Sequence, residues 1–544
     1  MFKKAIALVL ALCVALTLCA CAGTAVSSTA SKTEPASSNA ASEATSSKAE
    51  ELTYPVVTTP ITVKGVVVDK DMTNPRTVWQ DVEKVTNVHF EFENIEKDAF
   101  AVYLAAGNWP DFFHTSLDST QINDYGVTGQ KFVNYKDYLD LMPNLVQTFQ
   151  DYPQAQKAVT ETNGAIYQLP FIEESATVCN ARLYYREDVL KAAGQEVPAT
   201  TEEFYNVLKA LKAYNDGAAP FCAGINELNY AGVLLYASFG PSTTADFEDD
   251  GNGKVAYNRT SDQYRHYLSY IHKLYAEGLL HQEYLTLDGN TQKSLAAAGK
   301  TVFMDGTAGH SLTEKDFASG KCELNVLGPL TSEYDNERVL VGKLPISIGS
   351  GFFMNADSKY IKELVRCFDI MYATEEVAEG TGLYGESFTY GNQGVNWDYS
   401  NAEKTQYEFI LPEGVTDSFT SYQYGSIVYT NAGRATALKG CVTSTPGNNQ
   451  ARQLGFVNNV IPYQEKNPFP NNFLKFDEDE QTVINDNYTD ITKYVGEMHD
   501  KFISGVENID DDATWSAYCK RISDMNIDDV IAVYQASYDR WLNS

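Results

Sequence analysis

Ile61-Thr62-Val63-Lys64-Gly65-Val66-Val67-Val68 opens the stretch on which the fold of this chain turns. Short and rich in β-branched residues, it reads as a buried strand. Pro75 precedes Val78-Trp79-Gln80-Asp81-Val82-Glu83-Lys84-Val85, the start of an amphipathic helix. Val88-His89-Phe90-Glu91-Phe92-Glu93 alternates like a second strand. Residues 100–106 read as a helix stopped by Gly107, and Asp111-Phe112-Phe113-His114 as a third short strand. This βαβαβ order predicts a parallel sheet flanked by helices, an α/β fold. Farther along, 201–214, 261–277, 359–372 and 528–541 read as amphipathic helices, the second stopped by Gly278.

Upstream of this stretch the composition changes twice. Lys3 and Lys4 precede an apolar run over 5–18, which ends in Leu18-Cys19-Ala20-Cys21. So short a run with these flanks reads as a secretory signal, not a spanning helix. Its ending resembles a bacterial lipobox, which implies cleavage after residue 20 and a diacylglyceryl group on Cys21. Cys19 fits that role less well, because bulky Leu18 precedes it. Residues 22–51 are nearly all Ser, Ala, Thr, Lys and Glu, too poor in apolar surface to offset their ordering entropy. The expected layout is therefore a signal peptide over 1–20 and a lipidated cysteine with a tether over 21–53. As a coil, such a tether spans about 30 Å.

The body beyond the tether is too long for one compact core by ordinary size priors. With 44% apolar and 21% charged residues, the chain is composed like a soluble globular protein. Its net charge of −31 argues against a nucleic-acid partner and against a body lying flat on anionic lipid. Past Cys21, six scattered cysteines (179, 222, 322, 367, 441 and 519) form no CxxC pair and no metal-ligand spacing. They read as buried free thiols, although disulfides stay possible outside a cell. Thirty-five tyrosines supply flat apolar faces that also carry a hydroxyl, a chemistry suited to stacking on a ligand and hydrogen-bonding it.

Several segments, in order along the body, carry a family resemblance. Trp79-Gln80-Asp81-Val82-Glu83-Lys84-Val85-Thr86-Asn87-Val88 and Leu104-Ala105-Ala106-Gly107-Asn108-Trp109-Pro110-Asp111 come first. Asn163-Gly164-Ala165-Ile166-Tyr167-Gln168-Leu169-Pro170 and Leu183-Tyr184-Tyr185-Arg186-Glu187-Asp188 follow. Lys273-Leu274-Tyr275-Ala276-Glu277-Gly278-Leu279-Leu280 and Tyr534-Gln535-Ala536-Ser537-Tyr538-Asp539-Arg540 complete the set. Together they resemble extracellular solute-binding proteins of family 1, the lipoprotein subunits of ABC importers, and most of all the oligosaccharide-binding subgroup. The resemblance implies a two-lobe periplasmic-binding-protein-like fold, with a ligand cleft between the lobes and hinge crossings that close it. By analogy the first lobe takes 54–174 and 310–350, and the second takes 175–309 and 351–544. It also implies a monomer at the bacterial cell surface, on the outer face of the cytoplasmic membrane. The implied partners are an oligosaccharide or other small solute and the ABC permease subunits; the lipid anchor supplies the membrane contact, and neither catalytic group nor cofactor is needed.

The same resemblance points to contact residues. Tyr384-Gly385-Glu386 to Trp397 resembles a family loop that approaches the cleft, where Tyr390 and Trp397 could stack on sugar faces. Alternatively, Trp397 packs the loop onto its own lobe. Gln393 stands where the family usually has Glu. Trp109 is either a cleft residue or core at a strand-entering turn. Glu173 and Glu174 follow the first crossing, as ligand contacts or as a solvated hinge, and His310 follows Met304-Asp305-Gly306 at the second.

Competing chemistries find little support. Ala298-Gly299-Lys300-Thr301 ends like a phosphate-binding loop, but Ser294 holds the first glycine position. Asp246-Phe247-Glu248-Asp249-Asp250-Gly251 begins like an EF-hand loop, yet its twelfth position is Tyr257 and not a bidentate Glu. Some relatives carry a calcium loop after the helix that here ends near Tyr214; Asn215-Asp216-Gly217-Ala218-Ala219-Pro220 is poor in oxygen ligands, so no metal is expected. A surface glycan-active enzyme and a non-transport receptor on the same fold are the alternative functions. GxSxG and HExxH are both absent.

If Cys21 carries the anchor, Cys21→Ser should release the protein or leave its signal uncut. Detergent-phase partitioning checks this, and unchanged membrane retention would refute the lipobox reading.

Overall fold

The computed structural model describes residues 52–68, 77–175, 182–222, 230–240, 246–305, 322–340, 342–348, 351–378, 380–411, 413, 432–465 and 468–544. Cys21 with its signal and most of the tether, Cys179 and His310 lie outside the described residues. Residues 51–544 form one compact unit.

The opening stretch folds as its pattern predicts. β1 (Ile61–Val68), β2 (Val88–Ile95) and β3 (Phe112–Thr115) run parallel, with β1 between its neighbours and in register with β2 along its whole length. Val63, Val66 and Val67 of β1 are completely buried, which is why an unbroken β-branched run was needed there. Gly65 is glycine for space: the ring of Phe112, its register partner, lies where a Cβ would stand. Helices Thr77–Thr86 and Lys97–Ala106 make the crossovers, and Gly107 ends the second in the left-handed conformation at φ 73°.

A second sheet is built on the far side of the first crossing. β4 (Phe171–Glu173) leads out of the first lobe to β5 (Tyr184–Arg186), which lies between β9 (Phe303–Met304) and β10 (Leu324–Val326). β6 (Phe221–Cys222) closes the order β10-β5-β9-β6, in which β5 runs antiparallel to both neighbours. Helices Thr201–Tyr214 and Asp262–Ala276 cover this sheet, and Glu478–Ser504, Asp512–Ser523 and Ile527–Asn543 pack beside them. β7 (Phe247–Asp249) and β8 (Val255–Tyr257) form a hairpin over the stretch that begins like an EF-hand. Its Asp249 accepts the Gly251 and Gly253 N–H groups and the Tyr538 hydroxyl, which ties the carboxylate into the turn.

Strand pairing redraws the partition drawn from sequence. Within 310–350, expected in the first lobe, β10 joins the second sheet against β5. Within 351–544, expected in the second lobe, β12 (Gly351–Met354) joins the first sheet as an antiparallel edge against β3. Helix Ile361–Asp369 and Tyr372 also pack into the first core, whereas Leu340 and, later, Phe456 belong to the second. The all-buried Gly351-Phe352-Phe353-Met354 run needs a covered sheet position, and the edge beside β3 supplies one.

A buried carboxylate joins two helices of the first lobe. Helix Pro143–Asp151 has no side-chain cap of its own. Asp369, at the end of Ile361–Asp369, caps it from across the core: Leu145 N–H donates at 2.8 Å and the Asn144 amide at 2.9 Å. Burial pushes the Asp369 carboxyl up to about 7. Its folded state therefore holds a proton that the unfolded chain, at about 3.9, has lost. The resulting stability is fully present below about pH 4 and is lost as pH rises through 7. Relative to the natural chain, Asp369→Asn should gain stability between pH 4 and 7, by a few kcal/mol at most. Urea melts at both pH values check this; a pH-independent difference would contradict the shift.

Candidate functional site

A third sheet is made from the strands that carry the chain from one of these sheets to the other. β4 occupies its centre, with β11 (Ile346–Ser347) antiparallel on one side and β15 (Gly433–Ala435) parallel on the other. β4 carries the chain from the first core toward β5, and β11 returns it to β12. β15 leads through β16 (Val442–Thr443), which forms a small sheet with β13 (Trp397–Tyr399) and β14 (Gln406–Phe409), to helix Asn448–Asn459, which packs on the second sheet. Gly455 sits on Val326, and Asn459 Nδ2 donates to the Val326 carbonyl at 2.8 Å.

Four of the residues singled out from sequence assemble around this sheet. Tyr390 Oη donates to Glu173 Oε1 at 3.3 Å, and Ser175 Oγ donates to the same oxygen at 3.2 Å. Glu174 accepts from Tyr152 Oη at 2.6 Å and Lys439 Nζ at 2.7 Å. Arg434 extends the group: it pairs with Asp151 at 2.6 Å and lies over the Tyr152 ring. Its guanidinium holds the Asp151 carboxyl below the usual range. Burial and the neighbouring Glu174 carboxylate push the Tyr152 hydroxyl up, so it remains a donor across the physiological range. Glu173 and Glu174 thus tie the crossing to the first lobe on one flank and to the residues after β15 on the other.

The Gly-Tyr-rich stretch does a different job from the one its composition suggests. Trp397, offered as a sugar platform, is completely buried. It packs with Phe171, Tyr390, Tyr407 and Leu438, and its indole N–H donates to the Gly391 carbonyl at 2.9 Å. Tyr390 is buried as well, at 8% exposure. Beside them, Glu386 accepts the Thr436 and Ala437 N–H groups at 2.6 Å each. Burial pushes the Glu386 carboxyl up, while the backbone donors and Arg434 pull it down. Gly385 lies so close to the Arg434 carbonyl that no Cβ could fit. The loop is a clamp under β15.

Trp109 belongs elsewhere. It precedes β3, at the amino end of the sheet, stacks on Phe132 with ring centroids 5.2 Å apart, and meets Phe113 edge-on. Its indole N–H donates to the Leu104 carbonyl. Ligands of open α/β sheets bind beyond the carboxyl ends of strands, so this is a packing residue on the wrong side of the sheet. The same end holds a cavity of about 570 Å³, lined by Phe132, Asn134, Asn163, Tyr167 and Ile361 among others.

The carboxyl ends present other groups. Thr115 closes β3, Gln168 lies against Gly351 at the start of β12, and Asp305 follows β9; all three are buried polar residues. A rule that looks for polar residues just past each strand would have found Thr115 and Asp305, whereas the sequence reading passed over both in favour of His310. The segments continuing from β1, β4, β6 and β9 (69–76, 176–181, 223–229 and 306–321) lie outside the described residues. After Tyr214, Asn215 Nδ2 donates to the Gly299 carbonyl. Among the described residues, no cluster of three or more His, Cys, Asp or Glu side chains is placed to hold a metal. Of the five described cysteines, Cys222, Cys322, Cys367 and Cys441 are buried.

Trp397→Ala should cost roughly 3–5 kcal/mol of stability, the range for a large aromatic removed from a core. A denaturant melt checks this; an unchanged midpoint would return Trp397 to the surface.

No family model matches the chain. It is 25% identical over 512 residues to the fructooligosaccharide ABC transporter substrate-binding protein FusA of Streptococcus pneumoniae, covering 86% of this chain and 87% of that one. Lipoprotein LipO of Bacillus subtilis is 25% identical across 54% of this chain and 59% of its own. In fold, the chain matches a solute-binding protein from Bifidobacterium longum infantis associated with an HMO-binding ABC transporter. The TM-score is 0.68 at 19% identity, over 89% of this chain and 99% of the other. In sequence over most of its length, and in its α/β two-lobe fold, the chain is a relative of the substrate-binding proteins of ABC transporters.

Proposed function

We propose that this protein is a lipid-anchored extracellular solute-binding protein that delivers a carbohydrate, an oligosaccharide by preference, to an ABC importer. The observation that carries the reading is the match to FusA across 86% of the chain. Two sheets joined by three crossing strands support it, because such a body can bend without unfolding either core. A ligand that touches both lobes favours the closed state by its differential affinity, and the permease subunits read that state. Binding and release suffice for this task, so the protein needs no catalytic group. Cys21 holds it at the outer face of the cytoplasmic membrane as a monomer, and the tether keeps the body free to dock.

A saccharide that binds should raise the melting temperature progressively as its concentration exceeds Kd, and should contract the molecule in small-angle scattering. Incubation should leave the saccharide intact. Binding without compaction would oppose the hinge mechanism, and released product would favour the enzyme instead.

A further inference from the structure

Nearly every Phe, Tyr and Trp ring among the described residues is packed away; only Tyr214 and Tyr334 are exposed, at 52% and 53%. Tyr214 is the last residue of its helix. Tyr334 is supported from below. Its ring lies face to face on His266, with centroids 3.7 Å and planes 14° apart, and Phe239 stands 6.1 Å away. Its backbone is fixed too: Ser332 Oγ accepts from Tyr334 N–H at 3.1 Å and from Asp335 N–H at 3.3 Å, while Ser332 N–H donates to the Asp335 carbonyl. Burial lowers the His266 pKa, so the ring beneath is neutral at physiological pH.

The stack stands on the carboxyl-end side of the second sheet. Thr331, just before this turn, bridges to Thr200, the N-cap of helix Thr201–Tyr214. That helix runs back to the amino end of β6, so its N-terminus marks the opposite end. Helix Asp262–Ala276, which carries His266 in its second turn, also ends toward the start of β6, where Phe221 N–H donates to the Leu279 carbonyl. Tyr270 of the same helix donates to the Thr201 carbonyl at 2.8 Å.

We propose that the Tyr334–His266 stack is a saccharide-binding platform on the ligand-facing rim of the second lobe. A preordered aromatic face with a hydroxyl at its edge suits the apolar face of a sugar ring together with its hydroxyls, and costs little conformational entropy on binding. The exposed Glu333 beside it adds an acceptor for hydroxyl groups and favours neutral sugars over anionic ones. The platform rests on the carbohydrate-binding reading above.

The test titrates the full-length protein calorimetrically with kestose, nystose, maltotriose and lacto-N-tetraose. For whichever of these the natural chain binds, Tyr334→Ala should weaken Kd by roughly tenfold or more, with an unchanged melting temperature. Tyr334→Phe should keep most of the affinity, and His266→Ala should fall between. Full affinity in Tyr334→Ala would overturn the platform while leaving carbohydrate binding intact. Failure of the natural chain to bind any of the four would overturn the underlying reading, and the platform with it.

Discussion

The structure depends on a buried carboxylate that cannot be left unpaired. Glu386, 3% exposed, satisfies itself with two backbone N–H groups just past β15. Hydrogen bonds to a charged acceptor contribute about 1.5–3 kcal/mol each, and losing the donors would strand the carboxyl in an apolar site. β15 is thereby fastened to the Gly385–Thr389 turn. Gly385 permits the closeness, and Tyr372 Oη strengthens it by donating to the Pro170 carbonyl ahead of β4. With β15 fixed, β4 has a parallel neighbour and the three crossings form a sheet in place of three loose strands.

That arrangement divides stiffness from compliance. On the first-lobe side the crossings are tied by Glu174 to Tyr152, by Arg434 to Asp151, and by the apolar cluster around Trp397. Helix Asn448–Asn459 reaches both ways: Gln453 holds Thr443 and the Tyr407 hydroxyl, while Asn459 holds Val326 of the second sheet. A hinge of this kind moves by sliding a few polar contacts while each core keeps its packing.

Much of the scaffold was legible locally. Strand 61–68, the helix starting near Val78, the stop at Gly107 and helix 201–214 all follow from periodicity, caps and breakers within a few residues. Helix 359–372 was read too long; its end tightens to a 3₁₀ turn at Ile370–Tyr372, where Asp369 is held by the neighbouring helix. The site was legible only in part. Glu173, Glu174, Tyr390 and Trp397 do come together, but around the crossings and partly as core. Trp109 and Trp397 each follow a glycine within three residues, Gly107 and Gly394, a local signature that is the same whether a ring meets ligand or packs inside.

The sequence by itself determined the alternation of strands and helices, the position of most of their ends, and the relationship to substrate-binding proteins, because each depends on neighbours along the chain. Only the tertiary structure decided that 324–326 completes the second sheet and 351–354 the first, that Trp397 lies inside and Tyr334 outside, and that Trp109 stands at the wrong end of β3 for a ligand. Those outcomes depend on which distant segment supplies a hydrogen-bonding edge or covers a ring. Local patterns tell a strand or an aromatic that it must be covered, but not by what.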